Sequence, residues 1–152
     1  MKVNGVPVTA PPEEILVLPR PDGDLVFRAK ALPNWDEFHK LCKEPEPPKI
    51  KTKDGVQEDF NDPNYKSAYV GYCSKQNAYL VIKSLEPSNI EWDKVDPTNP
   101  NTWSNWLEEM QAAGLTAKEG ERIVQLCWDA NCLNEAKLEA ARKAFLRTLP
   151  KA

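Results

Sequence analysis

The chain has 152 residues, 41% of them apolar and 28% charged, and a formal net charge of −3. That is enough chain for one ordinary domain with its own core, and the balance excludes a wholly disordered protein. An acidic isoelectric point of about 5.3 argues against an electrostatic grip on nucleic acid. Lys49, Lys51 and Lys53 are answered at once by Asp54, Glu58 and Asp59, as in a solvated loop.

The opening residues lack the apolar stretch of a signal peptide, and no run approaches the ~20 apolar residues of a membrane span. Cytoplasmic residence is the resulting expectation. The four cysteines, Cys42, Cys73, Cys127 and Cys132, are scattered. With His39 as the sole histidine, they offer no paired spacing for zinc, and they read as small buried hydrophobes in a reducing compartment.

The fold class expected is α+β: an N-terminal β-hairpin or hairpins followed by a bundle of about five helices, in one domain over residues 1–152. Residues 13–30 read as a hairpin, with Ile15-Leu16-Val17-Leu18 and Leu25-Val26-Phe27 as arms around the turn chemistry of Pro21-Asp22-Gly23. A short helix is predicted over 31–43. Asn34 with Glu37 suggests a capping box, and Trp35, Phe38, His39 and Cys42 share one face. His39 lacks a local partner for base catalysis and reads as a packed or half-exposed ring.

Residues 44–61 form a proline-rich, charged insertion, with a second hairpin read around Asp54-Gly55, either an extended, mobile ribbon or a packed one. The longest helix spans 62–85, capped by Asp62 with Pro63 in its first turn. Tyr65, Tyr69, Tyr72 and Tyr79, every tyrosine in the chain, lie along one stripe of it. Two readings stay open for that stripe: the core face of the helix, or a protein-binding surface, since tyrosine gives large contact area at low entropic cost.

A polar linker over 86–101 is expected to be pinned by Ile90, Trp92 and Val95. Three helices fill 102–147. The first carries Trp103, Trp106, Leu107 and Met110 on one face and ends at Gly114. The second opens with a Thr116/Glu119 capping box and buries Ile123, Leu126 and Cys127. Within it, Gly120 costs about 1 kcal/mol against alanine, which suggests close packing as its reason. The third opens at Asn134, with Leu133 and Leu138 as a hydrophobic staple and Leu138, Ala141 and Phe145 facing inward.

Catalytic signatures are missing. There is no phosphate-binding glycine loop, no nucleophile elbow and no histidine pair. The adjacent acids Glu13-Glu14 and Glu108-Glu109 read as solvated surface. No catalytic, cofactor or metal site is expected, and the chain reads as a binding protein.

The element order and its Trp/Pro/Tyr punctuation resemble the tail assembly chaperones of long-tailed bacteriophages. The resemblance runs over residues 13–147. It is carried by LVFRAKALPNWDEFHKLCKEPEPPK (25–49), EDFNDPNYKSAY (58–69), YLVIKSLEP (79–87), IEWDKVDPTNPNTWSNWLEEMQAAGLTAKEGERIV (90–124) and NCLNEAKLEAARKAFL (131–146). It implies a non-catalytic protein of the host cytoplasm. Such a protein binds the tape measure protein, keeps it soluble until tail tube protein polymerises around it, and is absent from the finished particle. It implies a short or single-form member, without an extension domain. Tyr65, Tyr69, Tyr72, Tyr79, Trp103 and Trp106 are the candidate partner-binding residues. Self-association is a further expectation, because the apolar helix faces exceed one small core. Two expectations compete with it: a structural tail or baseplate component retained in the virion, and an enzyme using scattered carboxylates.

Overall fold

A computed structural model describes residues 1–132 and 135–151. The chain is mixed α+β, with antiparallel ribbons first and helices after. Among the described residues, the six strands form three separate two-stranded ribbons: β1 (Lys2–Val3) with β2 (Val6–Pro7), β3 (Glu14–Leu18) with β4 (Leu25–Ala29), and β5 (Lys49–Thr52) with β6 (Gly55–Glu58). Five α-helices follow or interleave: α1 (Asp36–Leu41), α2 (Pro63–Ser84), α3 (Trp106–Ala112), α4 (Ala117–Asn131) and α5 (Glu135–Thr148). Short 3-10 segments occupy Glu86–Ser88 and Pro100–Asn105. Among the described residues, no helix is long and apolar enough to cross a membrane.

The first ribbon was not anticipated, although its signal is in the sequence. Asn4 and Gly5 take φ values of 49° and 81°, the left-handed pair that a tight hairpin turn requires. The β3–β4 ribbon falls inside the expected 13–30, and its register pairs Glu14 with Ala29 and Leu18 with Leu25. Leu18, Phe27 and Ala29 are buried on its inner side, while Ile15, Val17 and Val26 remain exposed on the outer side. The β5–β6 ribbon is exposed along all eight residues, which is the extended of the two arrangements left open there and not the packed one. Its two-residue turn is Lys53-Asp54, one position earlier than Asp-Gly suggests, because Thr52 pairs with Gly55.

Two buried clusters meet across α2. One joins Leu18, Phe27 and Ala29 to Val81, Leu85, Met110, Ile123, Leu126 and Cys127. The other joins Phe38 and Cys42 to Tyr72, Tyr79, Ile82, Val95 and Trp103. Helix α2 serves both because its C-terminal half is buried nearly all round, from Ala78 to Ile82. Its start is as the sequence dictates: the Asp62 carboxylate accepts the Tyr65 backbone N–H at 2.9 Å, and Pro63 opens the first turn.

Helix α1 is shorter than the 31–43 expected, and its capping box does not form. Asn34 Oδ1 accepts the Asp36 N–H at 3.1 Å, whereas Glu37 turns away to Lys83 at 3.2 Å and the Tyr79 hydroxyl at 3.5 Å. A long-range charge partner outcompetes the local cap. His39 is exposed.

The helix expected from Thr102 begins instead as a 3-10 turn at Pro100, capped by Asn99 Oδ1 on the Asn101 N–H at 3.1 Å, and becomes α-helical at Trp106. Helix α4 is as expected: Thr116 and Glu119 complete the capping box, and Ile123, Leu126 and Cys127 are buried. Gly120 has the packing reason inferred for it, since an added Cβ would meet Leu107 Cδ1 at 3.1 Å. Leu107 is partly exposed and can rotate aside. Gly120→Ala is therefore expected to change stability by between zero and about +1 kcal/mol in favour of folding, and Gly120→Val to reverse the sign. Denaturant unfolding of both variants checks this.

Glu119 also receives Arg20 in a two-pronged ion pair, with both N–O distances 2.6 Å, tying the β3–β4 turn to the start of α4. Arg20 and the Thr116 backbone N–H lower the Glu119 carboxyl to about 2. A carboxyl depressed in the folded state stabilises fully above its unfolded value of ~4.3, and the contribution is lost as pH falls from there through about 2. Acid unfolding should thus show a loss of stability in that window, and Arg20→Ala should flatten it.

Helix α5 departs from expectation. Leu138 and Phe145, expected to face inward, are 44% and 62% exposed, and no residue of the helix is buried. The stripe exists, but among the described residues nothing packs on it closely enough to bury any of its side chains. The helix is sustained by its Ala-, Leu-, Glu-, Lys- and Arg-rich sequence and is fixed near its start by Lys137 Nζ on Glu14 Oε1 at 2.7 Å. The staple of Leu133 and the cap at Asn134 lie outside the described residues.

Candidate protein-binding surface

The six aromatic residues singled out from the sequence do not form one surface. Trp103 is fully buried, between Phe38 at 6.1 Å and Tyr79 at 5.1 Å between ring centroids, and its indole N–H donates to the Asp96 carbonyl at 3.1 Å. Tyr72 and Tyr79 are buried with it, and Trp106 is half-buried between the two clusters. The other half of the stripe faces solvent. Tyr65 is half-buried and Tyr69 is 40% exposed.

Helix geometry explains the split. Helix α2 has 22 residues, about 33 Å at 1.5 Å per residue, and the helices that cover it reach only its C-terminal part. Toward its N-terminus the same stripe runs out past the body. The result is a continuous aromatic ladder that begins in the core and ends in water. Phe38 meets Tyr72 at 5.4 Å, Tyr72 meets Tyr69 at 6.1 Å, Tyr69 meets Tyr65 at 5.9 Å, and Tyr65 meets Phe60 at 6.0 Å. These separations suit tilted and edge-to-face packing, so each ring is held by the next.

Phe60, 57% exposed, was not among the residues singled out. Its position two residues before the Asp62 cap, with an apolar aromatic at Tyr65, was the available signal. Val70, also on the projecting half of α2, is exposed too. Burial raises the phenol pKa of Tyr65, Tyr72 and Tyr79, so all three remain neutral donors near pH 7.

Beside the ladder, a cleft of about 460 Å³ lies between α1 and α2, lined by Leu41, Cys42, Pro45, Ala68 and Tyr72, with Lys43 and Lys75 among its walls. The β5–β6 ribbon leaves the body just before Phe60 in the chain. The arrangement gives rigid aromatic rings on a helix, an adjacent cleft and a charged ribbon, which suits gripping an apolar stripe of another chain.

Among the described residues there is no cluster of histidine, cysteine or acidic side chains able to hold a metal, and the four cysteines are free thiols. Burial pushes the Cys127 thiol up to about 12, and its S–H points at the Val81 carbonyl at 3.8 Å. Glu109 is not the solvated acid expected from its sequence position. Its carboxylate accepts the backbone N–H groups of Asp93, Lys94 (3.1 Å) and Val95 (3.2 Å), which pins the linker. Partial desolvation pushes this carboxyl up, but the three amides outweigh it and leave it below the ordinary range. Ile90 and Trp92 are half-buried and Val95 is buried, so the linker is held down as expected.

Comparison of this chain with protein-family models, with curated proteins and with solved structures returned no match.

Proposed function

We propose that this protein is a non-catalytic holding chaperone for a long amphipathic helical client, as tail assembly chaperones are for the tape measure protein. The observation that supports this reading best is the aromatic ladder, anchored on Phe38 and Tyr72 in the core and open to solvent at Phe60, Tyr65 and Tyr69. Aromatic anchors held rigid by neighbours carry most of the binding energy at protein interfaces, and each lost one commonly costs ~2 kcal/mol or more. An amphipathic helix would lay its apolar stripe along such a ladder. Binding only the unassembled client would raise its soluble concentration by mass action, without ATP. The site of action would be the host cytoplasm, and the client would be released as tail tube protein assembles around it.

Co-expression with a tape measure protein, the long helical client proposed, tests this. The client should become soluble and co-purify, and Phe60→Ala with Tyr69→Ala should reduce capture by about tenfold or more while the variant keeps its helical circular dichroism and unfolding midpoint. A client that stays insoluble, with this protein found instead in purified particles, would establish the structural virion role and end the chaperone reading.

A further inference from the structure

A second apolar surface is separate from the ladder. A groove of about 450 Å³ runs between the β3–β4 ribbon, the linker and α3, floored by Leu25, Phe27, Ile90, Trp92, Met110 and Leu115. That volume lies in the range of ordinary binding pockets, ~300–1,000 Å³. Its walls are acidic: Glu91 and Asp93 line it beside Glu109, whose carboxylate is already taken by the linker amides, and its one lysine, Lys94, is paired with Glu108 at 3.4 Å.

Helix α5 is the complement of this groove. Leu138, Ala141 and Phe145 form a stripe at helical spacing, with Leu146 beside it, and every leucine and phenylalanine on it is exposed. The helix carries Lys137, Arg142, Lys143 and Arg147 against Glu135 and Glu139. It is therefore cationic, although the whole chain carries −3. Within its own chain, Lys137 holds the start of α5 at Glu14, opposite Ala29. The groove residue Leu25 stands at the other end of that ribbon, paired with Leu18.

We propose that α5 of one copy seats in the acidic-walled groove of a second copy, apolar stripe inward and basic side chains on the carboxylates of Glu91 and Asp93. Two matched surfaces, one of each on every chain and each left uncovered among the described residues, favour a second copy over a foreign partner. The contact is heterologous, so each copy offers both a helix and a groove, and association proceeds head to tail into a ring or an open chain. The ladder at Phe60, Tyr65 and Tyr69 takes no part and stays free for a client. The inference therefore does not depend on the chaperone reading.

Light scattering and sedimentation of the full chain over a wide concentration range test it. Mass should rise with concentration and fall with added salt. Reversing the helix charge (Arg142→Glu, Lys143→Glu, Arg147→Glu) should return the protein to monomer, as should Glu91→Lys with Asp93→Lys in the groove. Mixing the two variants should restore a complex, because the reversed helix then meets a reversed groove. Phe145→Ala should weaken association by about tenfold or more. These exposed substitutions leave the core clusters intact, and circular dichroism verifies the fold. A strict monomer at all concentrations overturns the proposal. So does association indifferent to Phe145 and to both reversals, or a monomer whose Phe145 is shielded in its own groove.

Discussion

Replacing Trp103 by alanine is expected to destabilise the protein by about 3–5 kcal/mol, which lowers the unfolding midpoint by roughly 6–20 °C. The indole is fully buried, contacts the rings of Phe38 and Tyr79, and closes the linker by donating to the Asp96 carbonyl. Alanine removes all three contributions and leaves a cavity at the centre of one of the two clusters. Phenylalanine restores part of the volume and none of the hydrogen bond, so Trp103→Phe should recover more than half of the loss. Thermal and urea unfolding of the two variants measure this. A Trp103→Ala protein as stable as the parent, but unable to capture the client proposed above, would instead return Trp103 to the binding surface.

Asn131→Ala is the second large effect, expected at about 1–3 kcal/mol. At the end of α4 this side chain donates to the Ser84 hydroxyl and to the Cys127 carbonyl, both at 2.7 Å, and accepts the Leu32 N–H at 2.8 Å. It thereby joins α4, α2 and the segment after β4. Ser84 is fully buried, and its own carbonyl accepts the Lys30 N–H at 3.0 Å. Without Asn131, the Leu32 amide and the Ser84 hydroxyl lose their partners in a poorly hydrated place. Hydrogen exchange should therefore quicken at Leu32 well beyond the change in global stability. Uniform quickening across the protein would show that the network adds nothing local.

What could be read from the sequence was what neighbouring residues decide among themselves. Asp62-Pro63 opens α2 and Thr116/Glu119 opens α4, because capping is completed within one turn. Ile123, Leu126 and Cys127 are buried where periodicity puts them. Periodicity names a face and is silent on its partner, and the misreadings arise there. The stripe of α5 has no partner within the described residues. The tyrosine stripe of α2 has one for half its length, so one pattern yields core at Tyr72 and Tyr79 and surface at Tyr65 and Tyr69. Glu37 and Glu109 were misread for a related reason. Lys83 and the Asp93–Val95 amides lie respectively 46 and about 15 residues away, and nothing local announces them.

The ties that hold the β3–β4 ribbon bear on how the chain is made. Arg20 reaches Glu119 and Leu32 reaches Asn131, each across 99 residues. A ribosome adding about 5–20 residues per second takes about 5–20 s to supply those partners. For that interval, Leu18 and Phe27 have emerged with no α4 to cover them, and closing so long a loop adds to the delay. The ribbon is translated early and consolidated late. A chain stopped short of residue 116 leaves it resting on α2 and the Glu86–Ser88 turn without the cover of α4, whereas one stopped just after 132 keeps both ties and loses only α5 and its Lys137–Glu14 pair.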